Sequence, residues 1–208
     1  MIILSDKIEF PKVEKATPEG LLAIGGDLSV KRLLLAYSSG IFPWFDDDEV
    51  ILWWSPNPRF VLYPNRLKVS KSMRQFLRNT DFKITINTNF KAVITACAEA
   101  IRPGQEGTWI TEDMISAYIK LHQLGYALSV EVWQHEQLVG GLYGVDLNNG
   151  VFCGESMFAK VSNASKAAFI TFIQNTQYKL IDCQVYTKHL DSLGAEEIER
   201  EAFLKFLE

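Results

Sequence analysis

The stretch from Leu128 to Phe158 does most to limit what this chain can fold into. LSVEVWQ alternates apolar and polar residues at the period of a half-buried strand. LVGGLYGV and VFCGESMF follow as two more β-rich runs, separated only by HEQ and LNNG. Connections this short join antiparallel neighbours, because a parallel crossover needs a dozen or more residues. Asn149-Gly150 also tolerates the positive φ of a tight hairpin turn. Three successive antiparallel strands have apolar faces to bury, and packed helices are the expected cover.

Those helices are legible from caps and spacing. Ser70 precedes a helix whose buried side is Met73, Phe76 and Leu77, and FKAVITACAEAI reads as another. Thr111 caps EDMISAYIKLHQL, which stops at Gly125, and Asn163 is placed to cap ASKAAFITFIQN. A last helix is expected over roughly Glu199 to Leu207. FVLYP, FKITIN and LIDCQV read as further strands. This order predicts an α/β (α+β) sandwich with a mixed sheet, spanning 59–208. Residues 1–58 are dense in turn signals (TPEG, GGDLS, SSGIFPWF, WWSPNP) around one amphipathic helix, capped by Ser29 and ending near Gly40. They are expected to form a small irregular N-terminal domain.

Composition narrows the chemistry. With 48% hydrophobic residues, the 208-residue chain can bury a sizeable core. Cys97, Cys153 and Cys183 are odd in number and form no CxxC, which argues against a disulfide framework and a zinc site. No apolar run approaches the ~20 residues of a membrane span, and MIILSDKIEF lacks a basic n-region followed by an apolar h-region, so no signal peptide is expected. The expected location is cytoplasmic, with no metal and no cofactor. His122, His135 and His189 are scattered and none adjoins a thiol, so a Cys–His nucleophile is disfavoured. There is no phosphate loop of the GxxxxGK[ST] or GxGxxG kind.

Net charge is −4, yet nine basic residues from Arg59 to Arg102 face only Asp81 and Glu99, a local balance of +7. That asymmetry suits an anion-binding face. Within it, Lys71, Arg74 and Arg78 recur on one side of a helix, as phosphate contacts or simply as a solvated face. Of Trp44, Trp53, Trp54 and Trp109, two are expected to be structural. An indole exposed in a Pro/Gly-rich turn is a stacking platform for a nucleobase. The glycines of VGGLYG either pack strands closely or let a substrate approach the backbone.

Two polar intrusions into apolar strands remain. Asp182 and Gln184 in LIDCQ stand at i and i+2, on one face, and Glu155 in CGESMF shares a face with Cys153 and Met157. Burying such groups is costly unless they are paired, so each belongs either to a structural network or to a reacting site.

GLLAIGGDLS, GIFPWF, LWWSPNPR, EGTWIT, VGGLYGV, FCGESMF, NASK and LIDCQ, in this order and spacing, resemble the bacterial leucyl/phenylalanyl-tRNA–protein transferases, from about residue 18 to Gly194. The resemblance implies a GNAT-like larger domain beside the small N-terminal one. It also implies transfer of Leu or Phe from aminoacyl-tRNA to the α-amine of proteins beginning with Arg or Lys, which creates a degradation signal; Met is expected to be used weakly. Asp182 and Gln184 would be catalytic; beyond the resemblance, Gln184 is expected to accept a hydrogen bond from the amine, with Asp182 orienting and polarising Gln184. Trp44 and Trp109 would hold the 3′-terminal adenosine, and Glu155 would lie at the substrate. Leu142, Phe152, Met157, Phe172 and Ile181 would line the side-chain pocket, and Lys71, Arg74 and Arg78 would meet tRNA phosphates. Gln75 and Asn79 depart from the family's more basic pattern, and Leu142 from its Met. Two alternatives stand beside this: a CoA-dependent N-acetyltransferase of similar fold, against which QLVGGL has Leu where the pyrophosphate loop needs a small residue, and a tRNA-binding module without catalysis.

Overall fold

A computed structural model describes residues 2–46, 50–100 and 109–208. Arg102 of the basic segment, most of the acidic run at 46–49 and the first three residues of EGTWIT lie outside the described residues. The first part of the chain forms β1 (Ile3–Leu4), β2 (Leu21–Gly25), α1 (Val30–Ser38), β3 (Phe42–Pro43), β4 (Leu52–Trp54) and β5 (Arg59–Leu62). It continues through α2 (Lys71–Asn79), β6 (Lys83–Ile86), α3 (Phe90–Ala98), α4 (Glu112–Gln123), β7 (Ala127–Gln134), β8 (Gln137–Asp146) and β9 (Val151–Ala159). Then come α5 (Ala164–Gln174), β10 (Leu180–Gln184), α6 (Lys188–Ser192), β11 (Glu196–Ile198) and α7 (Arg200–Leu204).

The β7–β8–β9 meander lies within a seven-stranded sheet ordered β11-β5-β10-β9-β8-β7-β6. Every neighbouring pair is antiparallel except β10 beside β9. The mixed α/β sandwich is therefore the observed architecture. His135 (φ 48) and Glu136 (φ 62) make the first hairpin turn, and Asn148 (φ 59) and Gly150 (φ 91) shape the second.

Strand alternation divides the core into two layers. Val61, Tyr143, Val145, Cys153 and Leu180 pack with α1, α3 and α4. Their sequence neighbours Phe60, Leu62, Leu142, Phe152 and Ile181 face the other way, onto Met73 of α2 and the apolar side of α5. β10, paired on both edges and covered on both faces, is buried at every residue, which is why LIDCQ shows no polar alternation to solvent.

Ser29, Ser70 and Thr111 cap α1, α2 and α4 as expected, accepting from the backbone N–H three residues on at 3.4, 3.1 and 3.2 Å. Asn163 makes no such bond; it starts α5 from a left-handed conformation, φ 67. In VGGLYG, a Cβ on Gly140 would sit 2.5 Å from that of Ala164, and one on Gly144 would sit 2.3 Å from the Cys153 carbonyl oxygen. These glycines let β8 close onto α5 and β9, so the substrate-approach reading is corrected. QLVGGL lies wholly inside β8 rather than in a turn that could cradle a pyrophosphate.

Residues 3–54 carry a four-stranded sheet, β1-β2-β4-β3, that their turn-rich sequence conceals. Its strands are two to five residues long, too short for a periodic signal. Trp53 is fully buried there and donates to the Gly25 carbonyl at 2.8 Å, and Trp54 donates to the Trp44 carbonyl at 2.7 Å. These are the two structural indoles.

Candidate active site

The parallel ladder between β9 and β10 runs only from Leu180↔Val151 to Asp182↔Cys153. Beyond it β10 bulges: Asp182 opposes Val61 and Gln184 opposes Phe60, leaving Cys183 as the extra residue, and Gln184 adopts φ 64. Plain alternation would already have put Asp182 and Gln184 on one face. The bulge instead re-aims Gln184, as bulges do beside sites. On β9 the register against β8 also shifts, between Tyr143 and Gly144, at Glu155.

Asp182 is fully buried and gripped by Arg59, whose Nε and Nη2 donate to its two oxygens at 2.8 and 2.7 Å. Arg59 also donates to the Gly40 carbonyl at 3.1 Å, and its guanidinium lies between the rings of Phe42 and Phe203, 4.7 and 4.6 Å from their centroids. Burial opposes its charge, but Asp182 more than restores it and holds the guanidinium pKa above its usual value. Arg59 therefore leaves the basic surface inferred from its segment, and Arg66 is paired with Glu196. Asp182 reaches Gln184 through the backbone: Gln184 N donates to Asp182 Oδ1 at 2.9 Å. The Gln184 side chain is held elsewhere, its Nε2 donating to Glu155 Oε1 at 2.7 Å.

Glu155 is 8% exposed, and its Oε2 accepts from the Tyr118 hydroxyl at 2.9 Å. Tyr118 in turn shares a short hydrogen bond with the Tyr37 hydroxyl. Burial pushes the Glu155 carboxyl up to about 7; the tyrosine hydroxyls pull it down, Asp182 pushes it up, and Gln184 pulls it down. Burial likewise raises the thiols of Cys153 and Cys183 well above their usual range, which leaves neither suited to nucleophilic attack.

These groups border a cavity of about 390 Å³, lined on one side by Gly154, Glu155, Ser156 and Met157 and on another by Ile181 through Val185. Trp44, 38% exposed, and the half-buried Trp109 both face it. Leu142, Phe152, Met157 and Ile181 line it as a group. Phe172 does not; it stacks edge-on behind Phe152, ring centroids 4.8 Å apart, and Phe169 supplies the α5 wall instead. Both face the sheet from one helix at i and i+3, so spacing alone could not choose between them. His189 and Leu190 of α6 also line it, and sequence reasoning assigns neither to a site. Lys71, Arg74 and Arg78 are exposed on α2, and no α2 residue lines the cavity. Among the described residues no cluster of His, Cys, Asp and Glu could hold a metal ion, and no helix is long and apolar enough to cross a membrane.

Family profiles and sequence relatives agree with each other. A family profile described as leucyl/phenylalanyl-tRNA protein transferase matches residues 61–208, and one described as the N-terminal domain of that transferase matches 26–57. A leucyl/phenylalanyl-tRNA–protein transferase of Flavobacterium johnsoniae is 58% identical, covering 100% of this chain and 99% of its own. One of Syntrophus aciditrophicus is also 58% identical, over 96% of this chain and 84% of its own. Among solved structures, a GCN5-related N-acetyltransferase from Kribbella flavida aligns with a TM-score of 0.39 at 11% identity, covering 77% of this chain and 58% of that one.

Proposed function

The chain belongs to the leucyl/phenylalanyl-tRNA–protein transferase family, an aminoacyltransferase family, and from that premise we propose that it transfers Leu or Phe, and Met weakly, from aminoacyl-tRNA to the α-amine of proteins beginning with Arg or Lys. The product would carry a new N-terminal degradation signal. The observation that carries this reading is the cavity itself, in which two indoles, an apolar wall and a positioned amide meet. Trp44 and Trp109 take the terminal adenosine by stacking. Leu142, Phe152, Met157, Phe169 and Ile181 take the aminoacyl side chain, with Phe172 supporting Phe152 from behind. An apolar wall separates side chains differing by one methylene by only ~1–3 kcal/mol, hence the weak use of Met. Lys71, Arg74 and Arg78 take phosphates along the acceptor stem. Three buried free thiols suit a reducing, cytoplasmic location.

The reaction joins the amine nitrogen to the ester carbonyl carbon and breaks the ester bond to the ribose, whose oxygen takes the released proton. An α-amine has a pKa of ~7.7–8.0, so roughly one in ten is already neutral near pH 7. Deprotonation then costs about 1 kcal/mol, while orienting amine and ester is worth ~7–11 kcal/mol. Gln184 fits the orienting role: its Nε2 is occupied by Glu155, which leaves Oε1 to accept from the amine. Asp182, neutralised by Arg59 and fully buried, supports Gln184 through its backbone. Paired in this way, it is unsuited to meeting the acceptor's cationic side chain.

The deciding experiment supplies leucyl-tRNA with Arg-initiated and Ala-initiated peptides. Labelling of the Arg peptide in preference to the Ala peptide supports the reading; retained tRNA binding without transfer would overturn it in favour of a binding module. Trp44→Ala is expected to weaken aminoacyl-tRNA, read as KM, by the ~1–3 kcal/mol of one base–aromatic stack, with kcat changing less. An unchanged KM would remove Trp44 from the adenosine site.

A further inference from the structure

We propose that Glu155, held by the Tyr37–Tyr118 hydroxyl chain, is a positioning residue that decides which end of the Gln184 amide faces the amine. This rests on the transfer reaction proposed above. The side-chain amide has a donor end and an acceptor end of nearly the same shape, so something must choose between its two orientations. Glu155 does so: its Oε1 accepts from Gln184 Nε2 at 2.7 Å, and its Oε2 accepts from Tyr118 Oη at 2.9 Å. With Tyr118 donating to the carboxylate, the Tyr37 hydroxyl donates to Tyr118, and polarity runs from α1 through α4 to the sheet. An ionised carboxylate only accepts, so both neighbours must point their hydrogens at it. Gln184 Oε1 is thereby left for the amine. A protonated Glu155 can donate, and the amide can then turn its oxygen inward and present Nε2, a donor, to an amine that must itself donate.

Glu155 is surrounded by groups that set its charge. Tyr37 comes from α1, Tyr118 from α4, and Tyr143 of β8 packs edge-on against Tyr118 with centroids 5.7 Å apart. Arg59 comes from β5, Asp182, Cys183 and Gln184 from β10, and Cys153 lies on Glu155's own strand. Burial raises Tyr37, Tyr118, Cys153 and Cys183 well above their usual values, and Arg59 stays cationic against Asp182. Glu155, pushed by burial up to about 7, thus titrates in the neutral range, and the tyrosine hydroxyls favour its charged form. Because the charged form is the competent one, activity falls as pH drops through about 7.

The test is the pH profile of transfer at saturating leucyl-tRNA and Arg-initiated peptide, for wild type, Tyr118→Phe, Tyr37→Phe and Glu155→Gln. The amine's own ionisation is common to all four and cancels in the comparison. Removing a donor from a charged carboxylate should move the acid limb of Tyr118→Phe to higher pH by about one unit, roughly tenfold in rate on that limb. Tyr37→Phe, which removes the other hydroxyl that favours the charged carboxylate, should shift it in the same direction, and it serves if Tyr118→Phe does not fold. Glu155→Gln should lose this limb and keep only the amine's. Superimposable limbs in folded wild type and tyrosine variants would overturn the inference while leaving the transfer reaction standing. No transfer by wild type at any pH would instead overturn the functional reading and this inference with it.

Discussion

Replacing Gln184 by leucine should lower the rate of peptide formation from leucyl-tRNA by about 10²-fold, with little change in tRNA affinity, because the loss falls on the orientation of the amine and not on the nucleic acid. Leucine keeps the volume but offers no acceptor where Gln184 Oε1 stands, and it also leaves Glu155 Oε1 without its 2.7 Å donor. The backbone needs a separate control, since Gln184 sits at φ 64, a conformation that disfavours side chains. Gln184→Gly adopts that conformation freely, so it should be relieved of the backbone cost that the leucine variant carries and still be as slow. Single-turnover transfer and equilibrium unfolding on both variants separate the two effects. Wild-type turnover by Gln184→Gly would show that the side chain has no part in the reaction.

The second large effect concerns the Arg59–Asp182 clamp. Asp182→Asn should destabilise the fold by about 3–5 kcal/mol, since a buried guanidinium would lose its counter-ion. For a chain of this length that lowers Tm by about 2–4 °C per kcal/mol. Arg59→Met should cost a similar amount by stranding the carboxylate. The double variant Arg59→Met with Asp182→Leu should be more stable than either single one, because no unpaired charge remains. Transfer should nevertheless stay low in all three: the backbone N–H of Gln184 loses or misplaces its acceptor, Asp182 Oδ1, and the bulge loses its anchor. Denaturant titrations of the three variants give the coupling directly. Additive losses would mean that the two charges do not depend on each other, and normal turnover by Asp182→Asn would remove Asp182 from the site.

The clamp explains how two sheets contribute to one cavity. Arg59 begins β5 of the larger sheet, takes the Gly40 carbonyl just before β3, and is covered by Phe42 of β3 and Phe203 of α7. Trp44 follows directly after β3. The grip that neutralises Asp182 therefore also anchors the turn carrying the adenosine-stacking indole proposed here.

What the sequence determined by itself is whatever rests on short-range repetition. The β7–β8–β9 meander, the two-faced strands and the Ser29, Ser70 and Thr111 caps follow from periods and turn chemistry within a few residues. The oddity of Asp182, Gln184 and Glu155 was equally visible, since a polar residue in an apolar strand is conspicuous wherever the strand goes. Only the tertiary structure decided what those groups do. Asp182 meets Arg59 across 123 positions, Tyr37 meets Tyr118 across 81, and Tyr118 meets Glu155 across 37. No local pattern encodes a partner at such distances. The same limit turned Arg59 from a member of a basic surface into a buried counter-ion, and put Phe169 where Phe172 was expected. Periodicity tells which way a side chain faces; which atoms it meets there depends on how the sheets and helices pack.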